Sequence, residues 1–167
     1  PLNVHFGEEV LKDGEDVSAD EFYDRLVSSR SLPTTSQPSV GAFVEVYRQL
    51  LEGCDSIISI HISSKLSGTY NSAIQARKEL EEEDRIHVID ALTSSLGLGL
   101  IAKLAAELAN QSAEVGTIVE IVNAATARTE VFSLLETLEY LQKGGRIGKA
   151  AALAASLLNI KPILTVM

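Results

Sequence analysis

The sequence predicts an α/β protein, a mainly parallel sheet flanked by helices. Three observations carry that prediction. Short β-branched runs alternate with stretches of helical periodicity. The connections between them are short and rich in Ser, Thr, Gly and Pro. The run Ser56-Ile57-Ile58-Ser59-Ile60 is nearly continuous in apolar residues, as a strand covered on both faces requires.

The elements follow in order. Leu2 to Phe6 alternates like a strand, and Lys12-Asp13-Gly14 marks a turn. Ser18-Ala19-Asp20-Glu21 has the form of a capping box and opens a helix to about Ser29, with Phe22, Leu26 and Tyr23 as its inner face. Pro33 to Pro38 breaks the pattern. Val40, Phe43, Val44, Tyr47, Leu50 and Leu51 then recur at helical spacing, and Gly53 closes that helix. The strand at 56–62 leads into a helix from about Gly68 to Glu82. Arg85 to Ile89 reads as the next strand, Leu92 to Ala109 and Val115 to Ala127 as two helices, and Thr129 to Leu135 as a further strand. Leu138 to Lys143 is a short helix stopped by Gly144-Gly145, Gly148 to Leu158 is helical again, and Ile163 to Met167 is the last strand.

Composition narrows the function. The 167 residues carry a formal charge of −9, with 46% apolar and 22% charged residues. No basic cluster exists to grip a nucleic-acid backbone, so no nucleic acid is expected as partner. The single cysteine, Cys54, excludes a disulfide framework and reads as a small residue where a helix gives way to a strand. A reducing, cytoplasmic setting fits that usage. No apolar stretch is long enough to span a bilayer, which leaves peripheral membrane contact open. The chain starts at Pro1 and stops in a strand pattern, so the sequence reads as part of a longer protein.

No metal-ligand spacing and no complete nucleotide motif is present, so no cofactor is expected. Gly148-Lys149-Ala150 lacks the hydroxyl and the upstream glycine of a phosphate loop. Gly97-Leu98-Gly99 lies within a helical pattern and reads as a close-packing spot. The histidines His5, His61 and His87 all fall in strands, where a hydrogen-bonded structural ring is the plain reading.

What remains is a set of anion-friendly loops. Thr34-Thr35-Ser36-Gln37-Pro38 precedes one helix, Ser67-Gly68-Thr69 another, and Gly144-Gly145-Arg146 adds a guanidinium on a flexible turn. Ser and Thr at helix starts cap helices without any ligand, so no loop is decisive alone. Together they could converge on one polar group beyond the carboxyl ends of the strands. Hydroxyls and backbone N–H groups suit a carboxylate better than a phosphate, which recruits more Arg and Lys. The alternative is a hydrolase or phosphotransferase with Ser67 as nucleophile, which requires a base beside it.

Three stretches resemble a known family in order: Thr35-Ser36-Gln37-Pro38-Ser39, Ile62 to Tyr70, and Leu138 to Ile147 running on into Leu157 to Leu164. The chain is similar to DegV proteins, the bacterial fatty-acid-binding family. The resemblance implies a DegV-like α/β domain over residues 1–135 and, over 136–167, a GGRI helix-turn-helix region with the first strand of a second α/β domain. It implies an opening strand before Pro1 and most of the second domain after Met167. It implies a long-chain fatty acid in a buried tunnel, its carboxylate held by Thr35 and Ser67 with Gly68 and Thr69 adding donors. Arg146 is implied as a contact to the head group or to the partner. That partner is a fatty acid kinase, which makes the acyl phosphate, so no catalytic residue and no enzyme activity is expected of this chain. Asp90-Ala91 stands where the family usually has Asp-Ser, and Gly148 where Ser is common.

Overall fold

Gly7 and Glu8 form a two-residue turn that folds β1 (Asn3–Phe6) back on β2 (Glu9–Lys12), in antiparallel register from Asn3↔Lys12 to Phe6↔Glu9. Gly7 sits at φ +66°, a left-handed conformation that glycine reaches at least cost. This is the computed structural model of the chain, and it describes residues 1–153 and 161–166.

β3 (Thr34–Ser36) pairs with the other edge of β1, also antiparallel, with Val4 opposite Thr35. Neither β2 nor β3 is predicted above. Each is three or four residues long, too short for periodicity to register. α1 (Ala19–Ser28) is capped by Ser18, whose hydroxyl accepts from Glu21 N at 3.2 Å, as the capping box predicts. Phe22 and Leu26 are half-buried on its inner face, but Tyr23 turns outward. Phe22 packs on Phe6 at 5.9 Å between ring centres, and the Arg25 guanidinium lies 4.4 Å over Phe6 while pairing with Glu9.

The centre of the fold is the parallel pair β4 (Ile57–His61) and β5 (Ile86–Asp90), in register from Ile57↔Ile86 to His61↔Asp90. Helices cover both faces, which is why these strands read as continuous apolar runs. α2 (Val40–Leu51) and α3 (Thr69–Leu80) enclose one face, where Val44, Tyr47, Ile57, Ala73, Ala76 and Ile86 form a core. α4 (Ser95–Asn110) and α5 (Val115–Thr126) enclose the other, around Ile89, Ala91, Ile101, Ala105, Ile118 and Val122. Strand alternation sends Ile58 and Ile60 to that second core, and Ile57, Ser59 and His61 to the first. Arg85 pins the α2–β4 connection by donating to the carbonyls of Leu51, Cys54 and Asp55.

The α/β class therefore holds, and among the described residues the parallel strand pairing is that of β4 with β5. The last pair is antiparallel: β6 (Phe132–Leu134) runs against β7 (Ile163–Thr165), with Ser133 opposite Leu164. The strands on either side of residue 135 thus share one sheet. Between them lie α6 (Glu139–Lys143) and a 3₁₀ helix, Gly148–Leu153. The remainder of the predicted 148–158 helix, the motif residues 157–160 and Met167 lie outside the described residues. No helix among the described residues is long and apolar enough to cross a membrane.

Candidate functional site

The loop between β4 and α3 is built on Ser63, which is completely buried. Its N–H donates to Thr93 O at 2.9 Å, its carbonyl accepts from Leu66 N and Ser67 N, and its hydroxyl accepts from Lys65 N. Ser64 N donates to the Asp90 carboxylate at 3.2 and 3.3 Å, and Leu92 N donates to the same group at 3.0 Å. Asp90 thereby ties the loop after β4 to the loop after β5. These bonds fix where Ser67 stands.

Ser67 Oγ lies 2.8 Å from Thr69 Oγ1 and accepts from Thr69 N at 3.3 Å. If the Thr69 hydroxyl donates, both acceptor positions of Ser67 Oγ are filled and its own proton stays free to donate. Accepted hydrogen bonds polarise a hydroxyl and strengthen it as a donor. Thr69 is buried and Ser67 half-buried, so Ser67 is the more accessible member of the pair. α3 starts at the same place, and its N-cap residue, Gly68, supplies no capping side chain.

Two other loops come to this one. The Gln37 amide packs against the bare Cα of Gly68, so close that a Cβ there would stand 2.6 Å from Gln37 Nε2. Arg146 Nε donates to Leu66 O at 3.3 Å, and its NH1 donates to Gly144 O at 2.6 Å. Gly145, at φ +74°, makes the turn that aims Arg146 this way. Arg146 is exposed and keeps further N–H groups for a ligand.

Thr35 lies on β3, exposed, two residues before Gln37. Alternation places it on the Gln37 side of the chain. Ser36 points the other way, to His5 Nε2 at 2.9 Å and Asn3 Nδ2 at 3.4 Å. Ser67 and Thr69 are thus joined directly, Arg146 meets their loop at Leu66, and the loop that carries Thr35 meets it through Gln37 at Gly68. No hydrogen bond links Thr35 to the others among the described residues.

The histidines are engaged elsewhere or enclosed. His61 Nε2 bonds Ser59 Oγ at 2.7 Å, and Ser59 Oγ bonds Tyr47 OH at 2.7 Å. Phe43 stands edge-on to the His61 ring at 5.2 Å. Burial lowers the His61 pKa, against a smaller upward pull from Asp90. Burial likewise raises that of Tyr47, opposed by its bond to Ser59 and by Arg77. His87 Nε2 is buried without a partner among the described residues. None of the three hydrogen-bonds Ser67, so the base that the nucleophile reading requires is not in place. No group of three His, Cys, Asp or Glu among the described residues could hold a metal ion.

A cavity of about 730 Å³ lies on the other face of β4. Ile58, Ile60, Ala105, Ala109 and Ile118 line it, with Asp55 at one end. Neither Thr35 nor Ser67 is among its lining residues, so it is not the tunnel mouth the resemblance implies between those two. Gly97 is the close-packing spot that its helical setting predicts: a Cβ there would stand 2.5 Å from Val131 Cγ2. Gln37 and Asp90 are the residues the sequence reading missed. Gln37 lies inside a quoted motif, but nothing local tells which helix start it faces.

Fold and loops together define an α/β protein with polar loops gathered at the carboxyl end of a parallel strand pair. The family model described as "Uncharacterised protein, DegV family" matches residues 1–167, and the chain belongs to the DegV family. A DegV domain-containing protein of Deinococcus radiodurans is 40% identical over 166 residues, 99% of this chain and 58% of that protein. A fatty-acid-binding DegV family protein from Thermus thermophilus superposes with a TM-score of 0.90 at 37% identity, covering 100% of this chain and 59% of the other. DegV of Bacillus subtilis, described as a fatty acid binding protein, gives 0.86 at 36% identity over 100% and 59%. The Fatty Acid Kinase (Fak) B3 protein of Streptococcus pneumoniae, loaded with linoleic acid, gives 0.85 at 25% identity over 100% and 59%. The chain thus spans somewhat over half the length of these relatives.

Proposed function

We propose that the protein binds a long-chain fatty acid and presents its carboxylate to a separate fatty acid kinase. The observation that carries this reading is the meeting of three loops over residues 66–68, where Gln37 packs on Gly68, Arg146 bonds the Leu66 carbonyl and the half-buried Ser67 hydroxyl pairs with Thr69. The fatty-acid-binding relatives and the Fak B3 protein support the choice of ligand and partner.

The chemistry follows from the donors. Ser67 and Thr35 supply neutral O–H groups and Gly68 its backbone N–H, while Thr69, whose N–H and hydroxyl bond Ser67 Oγ, holds that hydroxyl in place; together they hold one negative charge. Each methylene buried in the whole protein contributes about 0.8 kcal/mol, so enclosing the tail in a tunnel supplies most of the affinity. The head stays accessible. In the kinase complex a carboxylate oxygen attacks the γ-phosphorus of ATP, forming the acyl phosphate and releasing ADP, with the catalytic groups on the kinase. Arg146, exposed beside Leu66, faces the phosphorylated product or the kinase surface. A cytoplasmic location follows from the need for ATP.

The test is native mass spectrometry of the full-length protein, as purified and after incubation with oleic acid. A one-to-one acyl adduct is expected. A protein that carries none and takes up none refutes the reading.

A further inference from the structure

We propose that the buried relay Tyr47–Ser59–His61 is an acid-operated latch on the ligand site: protonation of the His61 ring unlatches α2 from β4 and lowers the affinity for the fatty acid. The inference adds a control to the fatty-acid-binding reading and rests on it.

The relay is a chain of three polar groups against an apolar core. Tyr47, on α2, is 2% exposed, and its hydroxyl lies 2.7 Å from Ser59 Oγ on β4. Ser59 Oγ lies 2.7 Å from His61 Nε2, and Phe43 closes on the ring edge-on at 5.2 Å. One direction of donation uses every proton of the chain. Tyr47 donates to Ser59, Ser59 donates to His61 Nε2, and the neutral ring carries its proton on Nδ1. An imidazolium donates from Nε2 instead. Ser59 then turns its proton to Tyr47, and the Tyr47 O–H is left buried with no acceptor among the described residues. A buried donor without a partner is costly, so the relay accepts the neutral ring and resists the charged one. Burial of the ring acts in the same direction.

The latch joins the two elements that carry the site. α2 starts at Val40, just after the loop of Thr35 and Gln37, and β4 ends at His61, just before the loop of Ser63 to Thr69. Among the described residues, Tyr47–Ser59 is the side-chain hydrogen bond between α2 and β4. The charged groups about the relay are Asp90 on β5, opposite His61 in register, and Arg77 on α3, which acts on Tyr47. Asp90 favours a proton on His61, and its carboxylate already accepts from Ser64 N and Leu92 N. An imidazolium therefore loosens the site from two sides. It reverses the polar tie of α2 to β4, and it competes for the carboxylate that holds the loop of Ser67.

The test titrates full-length wild type and His61→Gln with oleic acid between about pH 7.5 and pH 5.5, with circular dichroism at each pH to confirm folding. The glutamine can accept from Ser59 but takes up no proton, and ionisation of the ligand cancels in the ratio of the two affinities. At the upper pH the two proteins bind within about twofold of each other. Over the range the wild-type affinity falls relative to His61→Gln by about three- to tenfold. Nitrogen NMR of the His61 ring supplies the reciprocal readout, since oleic acid lowers the pH at which the ring titrates. Ser59→Ala removes the bond that favours the neutral ring and raises that pH, whereas burial alone would leave it in place. An affinity ratio constant within about twofold over the range, or a ring titration that oleic acid does not move, overturns the inference and leaves the fatty-acid-binding reading intact. A wild type that binds no oleic acid even at the upper pH overturns both.

Discussion

Ser67→Ala separates a ligand hydroxyl from a structural one, because the structure gives it a stability effect and the proposed function a binding effect. Without ligand, the substitution removes the bond at 2.8 Å to Thr69 Oγ1 and the longer one at 3.3 Å from Thr69 N. A neutral intramolecular hydrogen bond nets about 1 kcal/mol, and the longer bond less, so the loss is about 1–2 kcal/mol. In a chain of this size that lowers the melting temperature by about 2–8 °C. With ligand, the substitution also removes a donor to a carboxylate, about 1.5–3 kcal/mol, or roughly 10- to 150-fold in Kd. Thr35→Ala is the contrast. Thr35 is exposed and held in β3 by its backbone, so melting stays within about 1–2 °C while the loss of affinity is of the same order. The assays are calorimetric melting of the ligand-free full-length protein and titration with oleic acid. A Ser67→Ala protein that melts early yet binds oleic acid as tightly as wild type refutes the reasoning, since the hydroxyl is then only a cap for α3.

Two further outcomes are expected. Gly97→Ala lowers stability by about 1–3 kcal/mol in urea unfolding, since the new methyl would stand 2.5 Å from Val131 Cγ2 and 2.8 Å from Thr93 Oγ1. Gly99→Ala, two residues along the same helix with nothing within 4 Å, raises it by about 0.5–1 kcal/mol; equal effects at the two positions would count against tight packing at Gly97. His61 produces a pH dependence. Its folded pKa is lowered, chiefly by burial, so as pH falls through about 6.5 the unfolded chain takes up a proton that the folded chain resists. Stability therefore falls with pH in that window. His61→Gln flattens the slope between pH 7 and 5, and parallel wild-type and variant slopes would remove His61 as its source.

Much of this architecture was legible because the parallel pair is covered on both sides. Ser56 to Ile62 and Arg85 to Ile89 read as buried strands, and β4 and β5 lie within one or two residues of those bounds. The helices after them carry the 3.6-residue period that such covers require. The short antiparallel strands were not legible. Glu9–Lys12 is mostly exposed and Thr34–Ser36 sits between prolines, so neither shows an apolar alternation. The conformation of their partners decides them, and that is not written locally. For the site, local signals found Ser67, Gly68 and Thr69 as a helix start, but the approach of Gln37 to Gly68 spans two loops and depends on how β3 and α3 are placed. Asp90 was hidden for the same reason: in sequence it is an acid at a strand end, and its two backbone donors, Ser64 and Leu92, come from different loops.

On the proposed reading, the composition of the site also bears on release. An arginine fork clamped on the head group would hold a carboxylate strongly and an acyl phosphate more strongly still, because the product carries more charge. Around Gly68 stand the Gln37 amide and the Ser67–Thr69 hydroxyl pair of the flanking residues, while Arg146 bonds the Leu66 carbonyl. Neutral donors grip a single charge with little extra preference for two. Arg146, exposed and free to reorient, can meet the second charge only as phosphate arrives. Such a division favours a carrier that holds the acid tightly by its tail and lightly by its head, which is the arrangement that lets a second protein work on the carboxylate.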